Sequence, residues 1–505
     1  AEPAGPEGTG GGRAAAMAGL VAWAAARAAG LAPDLFGAGQ VTALAGLAAD
    51  ADTLTAALRW SITTGDEVSA VDIARALFHL WMVQGRHGDV LDWSVPLLRL
   101  DDPVARRESA TVNNSAAGAS GRPVPNAENL AWTLLLIGAN ATIAGVGTPR
   151  IIAVCRRALR RLFAERREDL TPRIAALAWL PTSVDIADLE KSRPVAERLV
   201  AHDDPLVQGF GLFLSAVARA TGGDDERALA ENLEAYERFA AVGDQWMMGL
   251  AAQGVAARLA TAGRPGVQEW LRRGAAHLAV VGATEDAQSL QVQLDAQLAL
   301  AGDERAAERL AEAATDPGTE PMNVVIAGIG LAILAIRQGR YDEALERIDF
   351  VARSGPAWPP GQGPVTARSA AAILRLWAAD IAPAPDDAPA ADRFAVAQLQ
   401  AGRVDAFALG DLPTLAAWAL AGAELAAFRG RDGAARELWA AAVRLGARML
   451  YPFQEAHGPR LVRALGGQQE REALMRPWRS SSVPAVVARI RELTADLLDG
   501  QTLRR

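Results

Sequence analysis

The chain has 505 residues, half of them hydrophobic but only 5% aromatic, and its 59 acidic residues outnumber 51 basic ones for a net charge of −8. Such a length exceeds one ordinary domain and suits several cores or a continuous array. The acidic balance argues against a dedicated nucleic-acid binder, whose footprint is a basic domain, and its sign suits a cytoplasmic protein.

The opening "AEPAGPEGTGGGR", residues 1–13, lacks Met and reads as a linker or a cut, so a fragment is expected. "MAGLVAWAAARAAGLAP" from Met17 mimics a signal peptide, but Arg27 interrupts it, and an amphipathic helix is expected at the start of a helical region spanning 14–100. "GAGQVTALAG" from Gly37 reads as a loop before a helix, because no strand precedes it and a dinucleotide fingerprint needs another spacing. In "DIARALFHLWMVQGR" the residues Phe78, Trp81 and Met82 fall at helical spacing, which predicts core, with a ligand-lining face as the lesser reading. Residues 101–126, "DDPVARRESATVNNSAAGASGRPVPN", are polar and rich in turn formers and predict a long surface loop.

An array of helices is expected over 127–377. Cys155 stands alone, which excludes an intrachain disulfide and a cysteine-based zinc site, fits a reducing compartment, and predicts a small buried apolar residue. "CRRALRRLFAERRED" sets Arg156, Arg157, Arg160 and Arg161 on adjacent helical rows, with Glu165, Glu168 and Asp169 neutralising the end. That pattern predicts a solvated face, with contact to phosphate or an acidic partner as the lesser reading. The sole lysine, Lys191, follows Glu190 in "DLEKSRP", so the Gly-Lys-Ser/Thr of a phosphate-binding loop is absent.

The stretch "AVGDQWMMGLAAQGVAARLATAGRP" predicts a helix capped by Asp244, with Trp246 in its first turn and Gly263 as its stop before Pro265. Ala251, Ala252, Gly254, Ala256 and Ala257 leave little side-chain volume, so a neighbouring helix can approach closely. Similar glycine stops recur at Gly223, Gly263, Gly302, Gly339 and Gly430, the first four spaced by 40, 39 and 37 residues. A period in that range predicts helical pairs that bury a core only by stacking. Five places on stand Ala228, Ala307, Ala344 and Ala435; seven places before stand Ala216, Ala256, Ala332 and Ala423, with Asp295 the exception. The longest apolar run, Val324 to Ile336, is shorter than the roughly 18 to 20 residues that span a bilayer. Residues 378–393, "AADIAPAPDDAPAADR", predict a linker before helical hairpins over 394–505.

The histidines His79, His87, His202, His277 and His457 are scattered and read as structural or solvated. The acid pairs Asp101/Asp102, Asp203/Asp204 and Asp224/Asp225 adjoin Pro or Gly and read as caps and turns. With the thirteen tryptophans they are the only support for an all-helical glycoside hydrolase, which needs two opposed carboxylates. Most of those tryptophans fall inside amphipathic helices and not in long loops.

"LAILAIRQGRYDEALERIDFVARSGP", ending at Pro356, resembles a tetratricopeptide (TPR) repeat with helices at 324–338 and 342–353. The stretch from His202 to Arg264 is similar to the carboxy-terminal TPR-like region of bacterial SARP-type regulators, which join a DNA-binding and activator (BTAD) region to an NB-ARC ATPase and then to such helices. The ordered features are Asp204, Pro205 and Val207; Gly223 and Asp224; Phe239, Gly243, Asp244 and Trp246; then Gly263, where Arg264 replaces the usual Asp. Upstream, "LAADADTLTAALRWSITTGDEVSAVDIARALFHLWMVQGRHGDVLDWSVPLL" resembles the helices after that ATPase, with Thr53 in place of the usual Asn, and "GDLPTLAAWALAGAELAAFRGRDGAARELWAAAVRLGA" resembles the last helical pair.

The resemblance implies an all-α, right-handed TPR-like helical-hairpin superhelix (α-solenoid) that senses a signal and contacts proteins without catalysis. It implies no cofactor in this chain, ATP belonging only to the absent NB-ARC region. The expected partner is a protein or peptide or the chain's own ATPase domain, with a small-molecule signal as a further candidate. No membrane contact is expected, and DNA is reached only through the absent N-terminal region. A free-standing TPR scaffold shares this fold and differs only in what is tethered to it.

Overall fold

The structure, a computed structural model, describes residues 9–100, 124–144, 149–178, 180, 192–221, 224–354, 362–381, 387–408, 412–446 and 458–499, and in these every regular element is a helix. Gly223, Asp101, Asp102, Lys191, Trp179, Pro356, Trp358 and His457 lie outside the described residues. Four helices open the chain: α1 (Thr9–Leu31), α2 (Gln40–Thr64), α3 (Glu67–Val83) and α4 (His87–Arg99). They are followed by α5 (Ala127–Ala144), α6 (Pro149–Arg166), α7 (Pro172–Leu177) and α8 (Arg193–Val200). Successive hairpins come next: α9 (Pro205–Thr221), α10 (Asp225–Val242), α11 (Gln245–Thr261), α12 (Val267–Val280), α13 (Thr284–Leu300), α14 (Glu304–Ala313), α15 (Pro321–Arg337) and α16 (Tyr341–Ser354). The last group is α17 (Gln362–Ile381), α18 (Asp387–Ala408), α19 (Leu412–Phe428), α20 (Asp432–Arg444), α21 (Pro459–Leu465), α22 (Gln468–Met475) and α23 (Val483–Asp499). Helices α17 and α18 therefore occupy both ends of the expected 378–393 linker. Pro389 is tolerated there because first-turn amides have no helical acceptor.

From α8 to α20 each helix packs along the next, and α13, α15, α17 and α19 also touch one another in sequence. From α13 to α19 alternate helices thus share a layer, as in an α-solenoid. The glycine stops create the reversals. Gly243, Gly263, Gly302, Gly339 and Gly430 all take positive φ, between 61° and 101°, where a Cβ is costly. At each, the following amide bonds back to the helix, as in Arg264 N to Leu259 O at 2.9 Å and Asp303 N to Leu298 O at 3.0 Å, which absorbs carbonyls that would otherwise be orphaned.

Small residues let the helices close up. Ala216, Ala256, Ala332 and Ala423 are fully buried, as are Ala228, Ala344 and Ala435. At the Gly302 turn the register differs: Ala306 is fully buried and Ala307 only half-buried. Asp295, at the position where the other repeats have alanine, is 4% exposed, and the guanidinium of Arg309 reaches across from α14 to both of its oxygens. A buried carboxylate is tolerable because it is paired. Helix α13 divides two cores: Leu290 and Leu294 face the N-terminal one, while Val292, Ala296 and Ala299 face the C-terminal one.

By length and composition two stretches are apolar enough to cross a membrane, Gly12–Leu35 and Gln40–Thr64. Neither contains a long uninterrupted run of bulky residues; alanine raises the average of both. They pack against each other, and α1 also packs on α3.

Ala344 and Ala332 sit in the same core with no exposed surface. Replacing Ala344→Leu should overpack that hairpin and cost about 1–3 kcal/mol, read as a lower urea midpoint with an unchanged slope. An unaltered midpoint would show that α15 and α16 do not meet at these positions.

Candidate functional site

Two of the fully buried polar residues, Gln40 and Asp244, meet where the opening helices contact α11. The turn Leu35–Gln40 lies against the reversal Val242–Trp246, so closely that a Cβ on Gly243 would strike the Ala38 backbone. Gln40, at the start of α2, donates from Nε2 to Leu35 O and to Asp244 Oδ1, both at 3.0 Å. Its Oε1 accepts the backbone amide of Trp246, also at 3.0 Å. Asp244 performs its expected capping role, accepting the amide of Met247 at 3.0 Å. One side chain therefore joins segments 204 residues apart.

Aromatic rings surround this clamp. Phe36 stacks on Trp132 with centroids 4.6 Å apart and meets His79 edge-on at 4.5 Å. His79 in turn faces Trp246 at 6.4 Å. The imidazole is 1% exposed, and Asp244 Oδ2 is buried and unpartnered. Burial pushes His79 down to about 3, with the charge of Arg75 acting in the same direction. Burial pushes Asp244 up to about 6 against the hydrogen bonds from Met247, Gln40 and Trp246. Asp286 on α13 is raised by burial too, opposed by the Trp246 side chain and the charge of His87. All three groups are driven toward their neutral forms, so the contact between the opening helices and α11 carries little charge.

Other polar groups fasten helices together. Asn129 on α5 donates to Asp72 Oδ1 at 2.7 Å and accepts from Arg75, fastening α5 to α3. His277 lies 3.0 Å from the Tyr236 hydroxyl and 2.7 Å from Gln245 Oε1, linking α10, α11 and α12. Asp204 caps Leu206 N and pairs with Arg173; Asp224 caps Arg227 N; Asp225 pairs with Arg258. Cys155 is fully buried, and that burial raises its thiol to about 12. Phe78, Trp81 and Met82 are core residues. Trp132, Trp246, Trp377 and Trp418 are buried, and Trp23, at 43%, is the one described tryptophan with a largely exposed ring. Among the described residues no group of three or more His, Cys, Asp or Glu is placed to hold a metal ion.

Of the arginines singled out on α6, Arg157, Arg160 and Arg161 are exposed and Arg156 is half-buried. Arg161 pairs with Glu165 at 3.0 Å and Arg166 with Asp169 at 3.0 Å. Nothing in the sequence pointed to the Gln40–Asp244 clamp. No protein-family model matches the chain, and no curated protein does.

His79 and Asp244 should give opposing pH dependences. Asp244, raised from 3.8 to about 6, holds its proton more tightly when folded, so its contribution to stability falls as pH rises through that interval. His79, lowered from 6.5 to about 3, is protonated more readily when unfolded, so its contribution rises with pH over the wider interval. Where the intervals overlap the slopes, each at most about 1.4 kcal/mol per pH unit, cancel. Relative to the parent, Asp244→Asn should therefore gain stability as pH rises from about 4 to about 6, and His79→Leu should lose it. Urea midpoints across that range that stay parallel in all three proteins would refute the pairing.

Proposed function

We propose that this chain is the signal-sensing and protein-interaction region of a SARP-type bacterial transcriptional regulator, and that it works without catalysis. The observation that carries the reading is the run of helical pairs reversed at the left-handed glycines Gly263, Gly302 and Gly339, 39 and 37 residues apart, with buried alanines on both sides of the turn at Gly339 (Ala332 and Ala344) and again at Gly430 (Ala423 and Ala435). On this reading the pairs are TPR-like and wind as a right-handed superhelix. The helices expected at 324–338 and 342–353 fall on α15 and α16, separated by the Gly339 turn, as a TPR-like pair would need.

Further support comes from the residues on which the resemblance rests. Gly243, Asp244 and Trp246 form the reversal that Gln40 grips, so the SARP-like junction is also the contact between the opening helices and the array. The carboxylates a hydrolase would need at Asp204, Asp224 and Asp225 serve as caps and ion-pair partners, which favours a binding role. The nucleotide then belongs to an ATPase region preceding these helices, DNA to a region further upstream, and a cytoplasmic location goes with both. The partner is that ATPase region or another protein or peptide, with a small-molecule signal as an additional input. A free-standing scaffold would share every feature of the array.

Reading the coding sequence upstream separates the two: a Gly-Lys-Ser/Thr loop followed by this chain is expected, and its absence would favour the scaffold. The purified chain should neither bind nor hydrolyse ATP. Calorimetry with Mg-ATP should give no saturable heat, and a micromolar affinity would overturn the assignment of nucleotide to another region.

A further inference from the structure

We propose that the outer face of α6 docks an acidic protein segment that carries bulky apolar residues among its carboxylates; this rests on the protein-interaction reading and gives that interaction a place and a chemistry. Helix α6 packs along α5, and its opposite face is exposed at Arg150, Ala153, Val154, Arg157, Arg160 and Ala164. Arg150, Arg157 and Arg160 make no hydrogen bond or ion pair, in contrast to Arg161, Arg166 and the many arginines elsewhere that are tied to Asp or Glu. In a chain with a surplus of acids, three free guanidiniums on one helical face are an uncompensated positive field.

Their spacing fits carboxylates on a folded segment. Arg150 and Arg157 lie on one line about 10 Å apart, and Arg160 stands one turn further along an adjacent row. A guanidinium offers a planar fork that matches a carboxylate. Between the arginines the surface is apolar: Val154 is 42% exposed and Ala153 beside it is exposed too. Phosphate backbone would leave that apolar surface uncovered and would meet the chain's overall negative charge over a long contact. An acidic segment with leucine-like residues satisfies both features, since arginine and apolar side chains together are what protein interfaces concentrate.

The test uses the full chain and a labelled helical peptide bearing a row of Glu beside a row of Leu, followed by fluorescence anisotropy at about 0.15 M salt. The parent should bind it. The triple variant Arg150→Glu, Arg157→Glu, Arg160→Glu should bind at least about tenfold more weakly with the same circular dichroism and melting temperature. Should that variant fold poorly, Arg→Gln at the same three positions reports the same loss. A peptide with Ser for Leu should also bind more weakly. Equal binding by parent and variant, no binding by the parent, or tighter binding of a DNA duplex would each overturn the proposal. None of those results touches the sensor reading, which the upstream coding sequence and the nucleotide titration decide.

Discussion

Helices that present alanine and glycine to each other gain stability only when their backbones come close, and the whole architecture depends on that constraint. A small side chain removes little apolar area from water, so one hairpin alone cannot offset the entropy of ordering it. Close approach makes up part of the difference through dense packing. A Cβ on Gly249 or Gly274 would collide with Leu278 or Leu290 of the facing helix, which places bulky leucines directly over bare backbone. Each helix then needs a neighbour on two sides, and the array extends until a different kind of element ends it.

Charge ends it and polar hydrogen bonds begin it. Toward the carboxy terminus, Arg429 holds Asp392 through two contacts and donates to Leu497 O, so α18, α19 and α23 are fixed around a nearly buried ion pair. Arg460 likewise joins Asp380 and Phe428 O while lying over the Phe428 ring at 4.4 Å. Buried pairs of this kind specify a unique neighbour more than they add stability, because desolvation offsets much of the Coulomb energy. At the other end of the array the Gln40 clamp uses an amide and a carboxylate shifted toward neutrality. It gives the same specificity without needing a cation.

Local chemistry made the turns legible. Glycine tolerates the left-handed backbone that these turns need, and a glycine next to a charged residue marked Gly263, Gly302, Gly339 and Gly430 in the sequence. Which alanine faces the partner helix is set by helix rotation, and the short α14 turns Ala306 inward where the pattern favoured Ala307. The clamp was illegible for another reason: capping already explained Asp244, and nothing local in Gln40 identifies a partner 204 residues away. His79 reads in the sequence only as structural or solvated, and its burial among aromatic rings is a property of the assembled core. The two long alanine-rich helices show the converse, where average hydropathy responds to composition while the longest apolar run does not.

The clamp and the α6 face are joined by a continuous series of contacts. Helix α6 packs on α5, Trp132 of α5 stacks on Phe36, and Phe36 belongs to the turn that ends in Gln40 and grips Asp244. A segment docked on α6 would press on a hairpin whose far side carries that stack. Contact alone does not transmit a signal; the turn must have two arrangements whose balance docking changes. Gly37, at φ 133°, and Gly39 give this turn a backbone freedom that the helices on either side lack. The hydrogen bonds that close it are each worth about 1 kcal/mol net, small enough to be exchanged without unfolding a hairpin.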